Sequence, residues 1–211
     1  MQEDKLRDQI CELGRSIFDR GLTHGSTGNI SARCEDGWLL TPTGSSLGRL
    51  DPARLSKLDW AGKHLSGDPP SKENFLHLAM YQERARNRAV IHLHSTHSVA
   101  ISVLEGLDPD NVLPPLTAYY VMRIGTLPLV PYYAPGDLTL AEAVRSFADR
   151  HHAMLLANHG PVVAGTSLSA AADAIEELEA TAKLYLLVHG LNIRALTPTQ
   201  VAEVQRRYPP G

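Results

Sequence analysis

The stretch AVIHLHSTHS, residues 89–98, decides how the chain is read. It is an apolar run of strand character that carries His92 and His94, with His97 just beyond. Uncompensated polar groups are costly to bury, so two imidazoles inside such a run need a purpose. Residues i and i+2 of a strand point to one face. His92 and His94 therefore project together, while Val90, Ile91 and Leu93 fill the rest. Two neutral imidazoles side by side suit a divalent metal. The competing reading is that each is hydrogen-bonded separately in a polar cleft.

Working outward, helical and strand patterns interleave. Leu6, Ile10, Leu13 and Ile17 recur on one face of an opening helix over 3–20, with Gly21 as its stop. A glycine-rich turn, LTHGSTGN (22–29), leads into a hairpin of ISAR (30–33) and WLLTP (38–42). TPTGSS (41–46) is a second turn, and LSKLDWAGKHL (55–65) predicts another pair of strands. Ser71 is a candidate N-cap for a helix over KENFLHLAMYQERA (72–85), where Phe75, Leu78, Ala79 and Gln82 recur at helical spacing. After 89–98 come a helix over 97–105, a strand in LPLVPYY (127–133) and a helix over 140–150. The strands AMLLAN (153–158) and VVAG (162–165) flank a turn, and Ser167 or Ser169 opens a long helix closed by Gly190. This order implies an α/β sandwich with a mixed, largely antiparallel sheet. Neither GxGxxG nor GxxxxGK[ST] occurs, so nothing resembles a nucleotide-binding fold.

The 211 residues fit one domain, 1–211, with no internal repeat or low-complexity linker. A net charge of -3 gives no electrostatic case for nucleic acid or a membrane surface. MQEDKLRDQI has no apolar signal region, and no stretch reaches membrane-spanning length. Cys11 and Cys34, the only cysteines, read as reduced thiols of a cytoplasmic protein.

Two strand histidines do not complete a tetrahedral site. NHG (158–160), closing a strongly apolar strand, offers His159 as a third ligand, although Asn and Gly are also ordinary turn residues. Glu73 is the candidate carboxylate. Its place in the first turn of a helix is also explained by the helix macrodipole alone. The remaining histidines, 24, 64, 77, 97, 151, 152 and 189, are scattered and read as surface groups or as groups just behind the ligands, with His97 the one expected near the site. Three turns suit an anion through backbone N–H groups: Gly28–Asn29, Thr43–Gly44, and Ser71–Lys72, where the lysine adds charge.

GNIS (28–31), TPTG (41–44), PSKE (70–73), HLH (92–94) and NHG (158–160) occur in an order and at spacings similar to the class II fuculose-phosphate aldolase, or aldolase/adducin-head, family. The resemblance extends to about Arg194. It implies a three-layer α/β/α sandwich and a cyclic homotetramer with active sites at subunit interfaces. It also implies one divalent metal per subunit, usually zinc, held by His92, His94 and His159. Glu73 would be both a metal-proximal carboxylate and the acid/base, and Gly28, Asn29, Thr43, Gly44, Ser71 and Lys72 would contact a substrate phosphate. Lys72 departs from the second serine usual in fuculose-phosphate aldolases. PSKE, YYVMRIGTLPLVPYY (119–133) and LLANHGPVVAG (155–165) look most similar to the 3-oxo-tetronate 4-phosphate decarboxylase branch. That branch implies release of carbon dioxide to give dihydroxyacetone phosphate, whereas an aldolase would release an aldehyde. An epimerase of the family usually has Asp at position 73, and a non-enzymatic adducin-type head predicts decayed ligands. Tyr119, Tyr120 and Tyr208 are the candidate proton-donating tyrosines.

Overall fold

Alternation along one central strand sorts the molecule into layers. The computed structural model describes residues 2–134 and 136–209. In it β5 (Ala89–His92) lies between β1 (Asn29–Arg33) and β8 (Gly160–Gly165). These belong to one eight-stranded sheet with β2 (Trp38–Leu40), β3 (Ser56–Leu58), β4 (His64–Ser66), β6 (Leu129–Val130) and β7 (Ala153–Leu156). Its order is β4-β3-β2-β1-β5-β8-β7-β6. Every neighbouring pair is antiparallel except β6 and β7. The mixed, largely antiparallel sheet expected from the strand pattern is therefore present.

Ala89, Ile91 and Leu93 join Ile30, Ala32, Leu155 and Val163 in one apolar layer. Over it pack α1 (Gln2–Asp19), α3 (Thr96–Ser102), α4 (Ala118–Arg123) and α6 (Leu168–Val188), through Ile10, Ile17, Ile101, Tyr120, Ile175 and Leu178. Val90 instead joins Leu40, Met154 and Val162 in a second layer under α2 (Asn74–Glu83) and α5 (Thr139–Ala148). His92 and His94 share the parity of Val90 and face that second side. Three layers, helix on sheet on helix, result.

Local chemistry explains most boundaries. The Ser167 side chain accepts from the Ala170 amide at 3.0 Å and starts α6, and Gly190 follows the helix at φ 78°. LPLVPYY yields only the two-residue β6, because Pro128 and Pro131 lack the N–H that a longer ladder needs. Ser71 does not cap α2. Its Oγ accepts from the Glu73 amide at 3.3 Å, and Glu73 itself stands at the N-cap, one residue before the helix. The buried side of α2 is Leu76, His77, Ala79, Met80 and Tyr81, whereas Gln82 is exposed. Two helices go beyond the sequence pattern: α4, capped by Thr117, and α7 (Pro198–Arg207), opened by a Thr197–Gln200 capping box. No described helix is long and apolar enough to cross a membrane, and Cys11 and Cys34 are free thiols.

Candidate active site

The β5–β8 pairing brings distant histidines together. His92 ends β5, His94 lies two residues on, and His159 occupies the turn between β7 and β8. Asn158 holds that turn in the left-handed region at φ 56°. Gly160 packs so tightly on Leu93 that a Cβ there would lie 2.3 Å from the Leu93 carbonyl oxygen. The three Nε2 atoms then face one another: His92 to His94 at 3.0 Å, His94 to His159 at 3.1 Å, and His92 to His159 at 3.3 Å. Glu73 Oε1 is 3.0 Å from His159 Nε2, and Oε2 is 3.6 Å from His92 Nε2.

This donor set fits a divalent metal. His92 Nδ1 donates to the Pro161 carbonyl at 2.9 Å, so its neutral ring turns a bare Nε2 lone pair towards the other imidazoles. One cation at the point the three Nε2 atoms face would take a lone pair from each neutral ring. Tetrahedral zinc with Zn–N of about 2.0–2.1 Å separates its ligand nitrogens by about 3.3 Å, close to the spacing observed. Burial, with His92 and His159 alongside, pushes the His94 imidazole down to about 3, and burial likewise lowers His92. Both rings are thus neutral at pH 7, as metal ligation requires. Burial by itself would raise the Glu73 carboxyl. Hydrogen bonds from the His159 imidazole and the Asn29 amide, in a site shared with His92, outweigh it and hold Glu73 well below the usual carboxylate range. A second acidic group, Glu3, Cys34 and Asp36, lies far along the sheet, and there the Lys57 ammonium already sits 2.9 Å from both carboxylates.

The three turns expected to suit an anion converge on Glu73. Pro42 bridges Pro70, the Thr43 amide donates to the Pro69 carbonyl at 3.0 Å, and Asn29 Nδ2 donates to Ser71 Oγ at 3.3 Å. Gly28 and Gly44 hold positive φ of 79° and 68°, which glycine alone adopts without strain. Thr43, Gly44 and Lys72 are exposed, but Asn29 and Ser71 are buried. Beside the imidazoles opens a cavity of about 640 Å³, lined by Glu73, His94 and His159 together with His24, Tyr132, Tyr133 and Asn158.

Tyr132 and Tyr133 are the tyrosines at this cavity, although Tyr119, Tyr120 and Tyr208 were the expected donors. Tyr120 is fully buried in the apolar layer on the other side of the sheet. Tyr119 lines a separate cleft with Arg20, His97 and Arg123, and Tyr208 is an exposed residue following α7. His97, expected near the site, is engaged by Glu179 at 2.7 Å instead. His77 and His152 are buried at 0% and 5% exposure rather than at the surface, and His77 lies just behind Glu73 through Asn29. The PYY sequence was the available signal for the cavity tyrosines, yet its pattern reads equally as strand.

Comparison with known proteins agrees with this geometry. Residues 8–186 match the family described as Class II Aldolase and Adducin N-terminal domain. The chain is 53% identical over 204 residues to the 3-oxo-tetronate 4-phosphate decarboxylase of Escherichia coli O6:H1, covering 96% of each chain. It is 32% identical over 212 residues to the L-fuculose phosphate aldolase of Escherichia coli K12, covering 99% of this chain and 96% of that one. The crystal structure of YgbL from Escherichia coli superimposes with a TM-score of 0.95 at 50% identity, over 97% of this chain and 100% of the other. With its five ordered motifs folded around one cluster of imidazoles, the chain belongs to the class II aldolase and adducin N-terminal domain family.

Proposed function

We propose that this single-domain protein is a cytoplasmic lyase that decarboxylates a 3-oxo-tetronate 4-phosphate to dihydroxyacetone phosphate and carbon dioxide. The observation that carries this reading is the facing set of His92, His94 and His159 Nε2 atoms with Glu73 beside them. Similarity to the decarboxylases at 53% identity, against 32% for the aldolase, favours loss of carbon dioxide over release of an aldehyde. A divalent metal, zinc in our reading, would be held by the three histidines and supply Lewis-acid stabilisation of charge developing on the substrate's oxygens.

This chain's own residues do the rest. Gly28, Asn29, Thr43, Gly44, Ser71 and Lys72 hold the phosphate end and orient the scissile bond. Breaking the bond between carbons 1 and 2 leaves the electron pair as an enediolate. Glu73 passes a solvent proton to carbon 2 and completes dihydroxyacetone phosphate. Exposed Leu184, Leu187, Leu191 and Ile193 at and just beyond the end of α6 support assembly into a homotetramer, where they would be buried.

The test follows carbon dioxide and dihydroxyacetone phosphate separately in a single turnover of zinc-loaded protein. Wild type should release both in equal amounts. Glu73→Gln should keep its fold and lower the rate of dihydroxyacetone phosphate formation by roughly 10²–10⁴-fold. Carbon dioxide release, which needs no base to take a hydroxyl proton, should be less affected. Formation of both at wild-type rates in Glu73→Gln would remove Glu73 from the reaction. Cleavage of a ketose phosphate to an aldehyde, with no carbon dioxide from the oxo acid, would make the enzyme an aldolase.

A further inference from the structure

The second oxygen of Glu73 ends a buried chain of hydrogen-bonding groups between β1 and α2. Glu73, His77 and Tyr81 follow one another at i, i+4 and i+8 on one face of α2 and the residue before it, and Asn29 and Ser31 share one face of β1. Asn29 Nδ2 is 2.7 Å from Glu73 Oε2, and Asn29 Oδ1 is 2.5 Å from His77 Nε2. His77 Nδ1 is 2.7 Å from Ser31 Oγ, which is 2.8 Å from the Tyr81 hydroxyl. Asn29, Ser31, His77 and Tyr81 are all 3% exposed or less.

The direction of every link follows from the inventory of donors and acceptors. An ionised carboxylate only accepts, so the Asn29 atom facing Glu73 is the amide nitrogen and its oxygen faces His77. That oxygen only accepts, so His77 Nε2 carries the hydrogen. Burial, with His92 nearby, pushes the His77 imidazole down to about 3 and keeps it neutral, which leaves Nδ1 as a lone pair. Ser31 therefore donates to His77, and Tyr81 donates to Ser31. Each bond runs towards the carboxylate.

We propose that His77 is a positioning residue for the reaction: its Nε2–H tautomer locks the Asn29 amide so that both amide hydrogens go to Glu73 Oε2 and Ser71 Oγ. Glu73 Oε1 is then the oxygen presented to the His159 side of the cluster. A flipped Asn29 amide would set oxygen against carboxylate at 2.7 Å and N–H against N–H, an arrangement the chain forbids while His77 keeps that tautomer. The proposal deepens the reading of Glu73 as the proton-transfer group and rests on it.

Two substitutions separate positioning from mere packing. In His77→Gln the new amide nitrogen reaches the place of Nε2 and still donates to Asn29. In His77→Asn the shorter amide sits at the place of Nδ1 and serves Ser31 alone. At matched zinc content, His77→Asn should lose roughly 10–100-fold in kcat with KM little changed, the usual cost of losing a group behind the ligands. His77→Gln should keep most of kcat, even where the two variants lose thermal stability alike. Independently of activity, nitrogen-15 NMR of histidine-labelled wild type should show one Nε2–H signal that is absent from His77→Asn. Equal kcat losses in the two variants, or an Nδ1–H tautomer, would overturn the proposal. A fully active Glu73→Gln would instead overturn the reading of Glu73, and the tautomer measurement would still decide the role of His77.

Discussion

Gly160→Ala is the sharpest test of how the backbone aligns the imidazoles. A Cβ built on Gly160 falls 2.3 Å from the Leu93 carbonyl oxygen and 3.5 Å from the His94 Cα. Ordinary contact begins near 3.4 Å, so either the 158–160 turn or the end of β5 must retreat by about 1 Å. The obstacle is backbone, and the two segments are tied by the Leu93 amide donating to the Pro161 carbonyl at 3.3 Å, so no side-chain rotation relieves it. Overpacking of this kind costs about 1–3 kcal/mol. The retreat also separates His159 from His94, whose Nε2 atoms lie 3.1 Å apart, and about 1 Å of misplacement can cost on the order of 10²-fold in rate. Bound divalent metal by mass spectrometry, thermal unfolding and kcat should all fall together. Gly190→Ala supplies the control: its φ of 78° also strains alanine, but nothing lies within 4 Å of the new Cβ. It should lose about 1–2 kcal/mol of stability and leave bound metal and kcat unchanged. Wild-type metal content and kcat in Gly160→Ala would refute the alignment argument.

Two further outcomes follow from the same geometry. His94→Ala should abolish bound metal and activity while the fold persists, because His94 is half-buried at the cavity rather than in either apolar layer; full activity in the presence of chelator would contradict this. Acid should destabilise the protein before its carboxylates titrate. The His77 pKa falls from 6.5 to about 3 on folding, and burial also lowers His152, so the unfolded chain binds these protons more readily and stability drops as pH falls below 6.5. The slope should approach about 1.4 kcal/mol per pH unit for each such histidine. Urea unfolding should show it between pH 6.5 and 5 and show a shallower dependence in His77→Gln; identical slopes would be inconsistent with a buried neutral His77.

Local pattern carried much of this molecule. Strand parity at 89–94 placed His92 and His94 on one face, and apolar flanks marked β7 and β8 on either side of the NHG turn. Ser167 and Gly190 bounded α6, and the interleaving of strands with helices implied the layered fold. These features depend on side-chain alternation, capping and turn chemistry over a few residues, which the sequence displays directly. What lies 65 residues apart does not. Only the antiparallel pairing of β5 with β8 brings His159 to His94, and only packing of α2 against β1 turns Glu73, His77 and Tyr81 towards Asn29 and Ser31. The same holds for the tyrosines. Tyr120 and Tyr133 are alike as letters in a sequence, yet one is sealed in the layer away from His92 and the other lines the cavity, because burial is set by which face of the sheet a segment covers. His77 shows the difference most fully: its helical spacing from Glu73 is visible in the chain, but its tautomer is decided by partners on another strand.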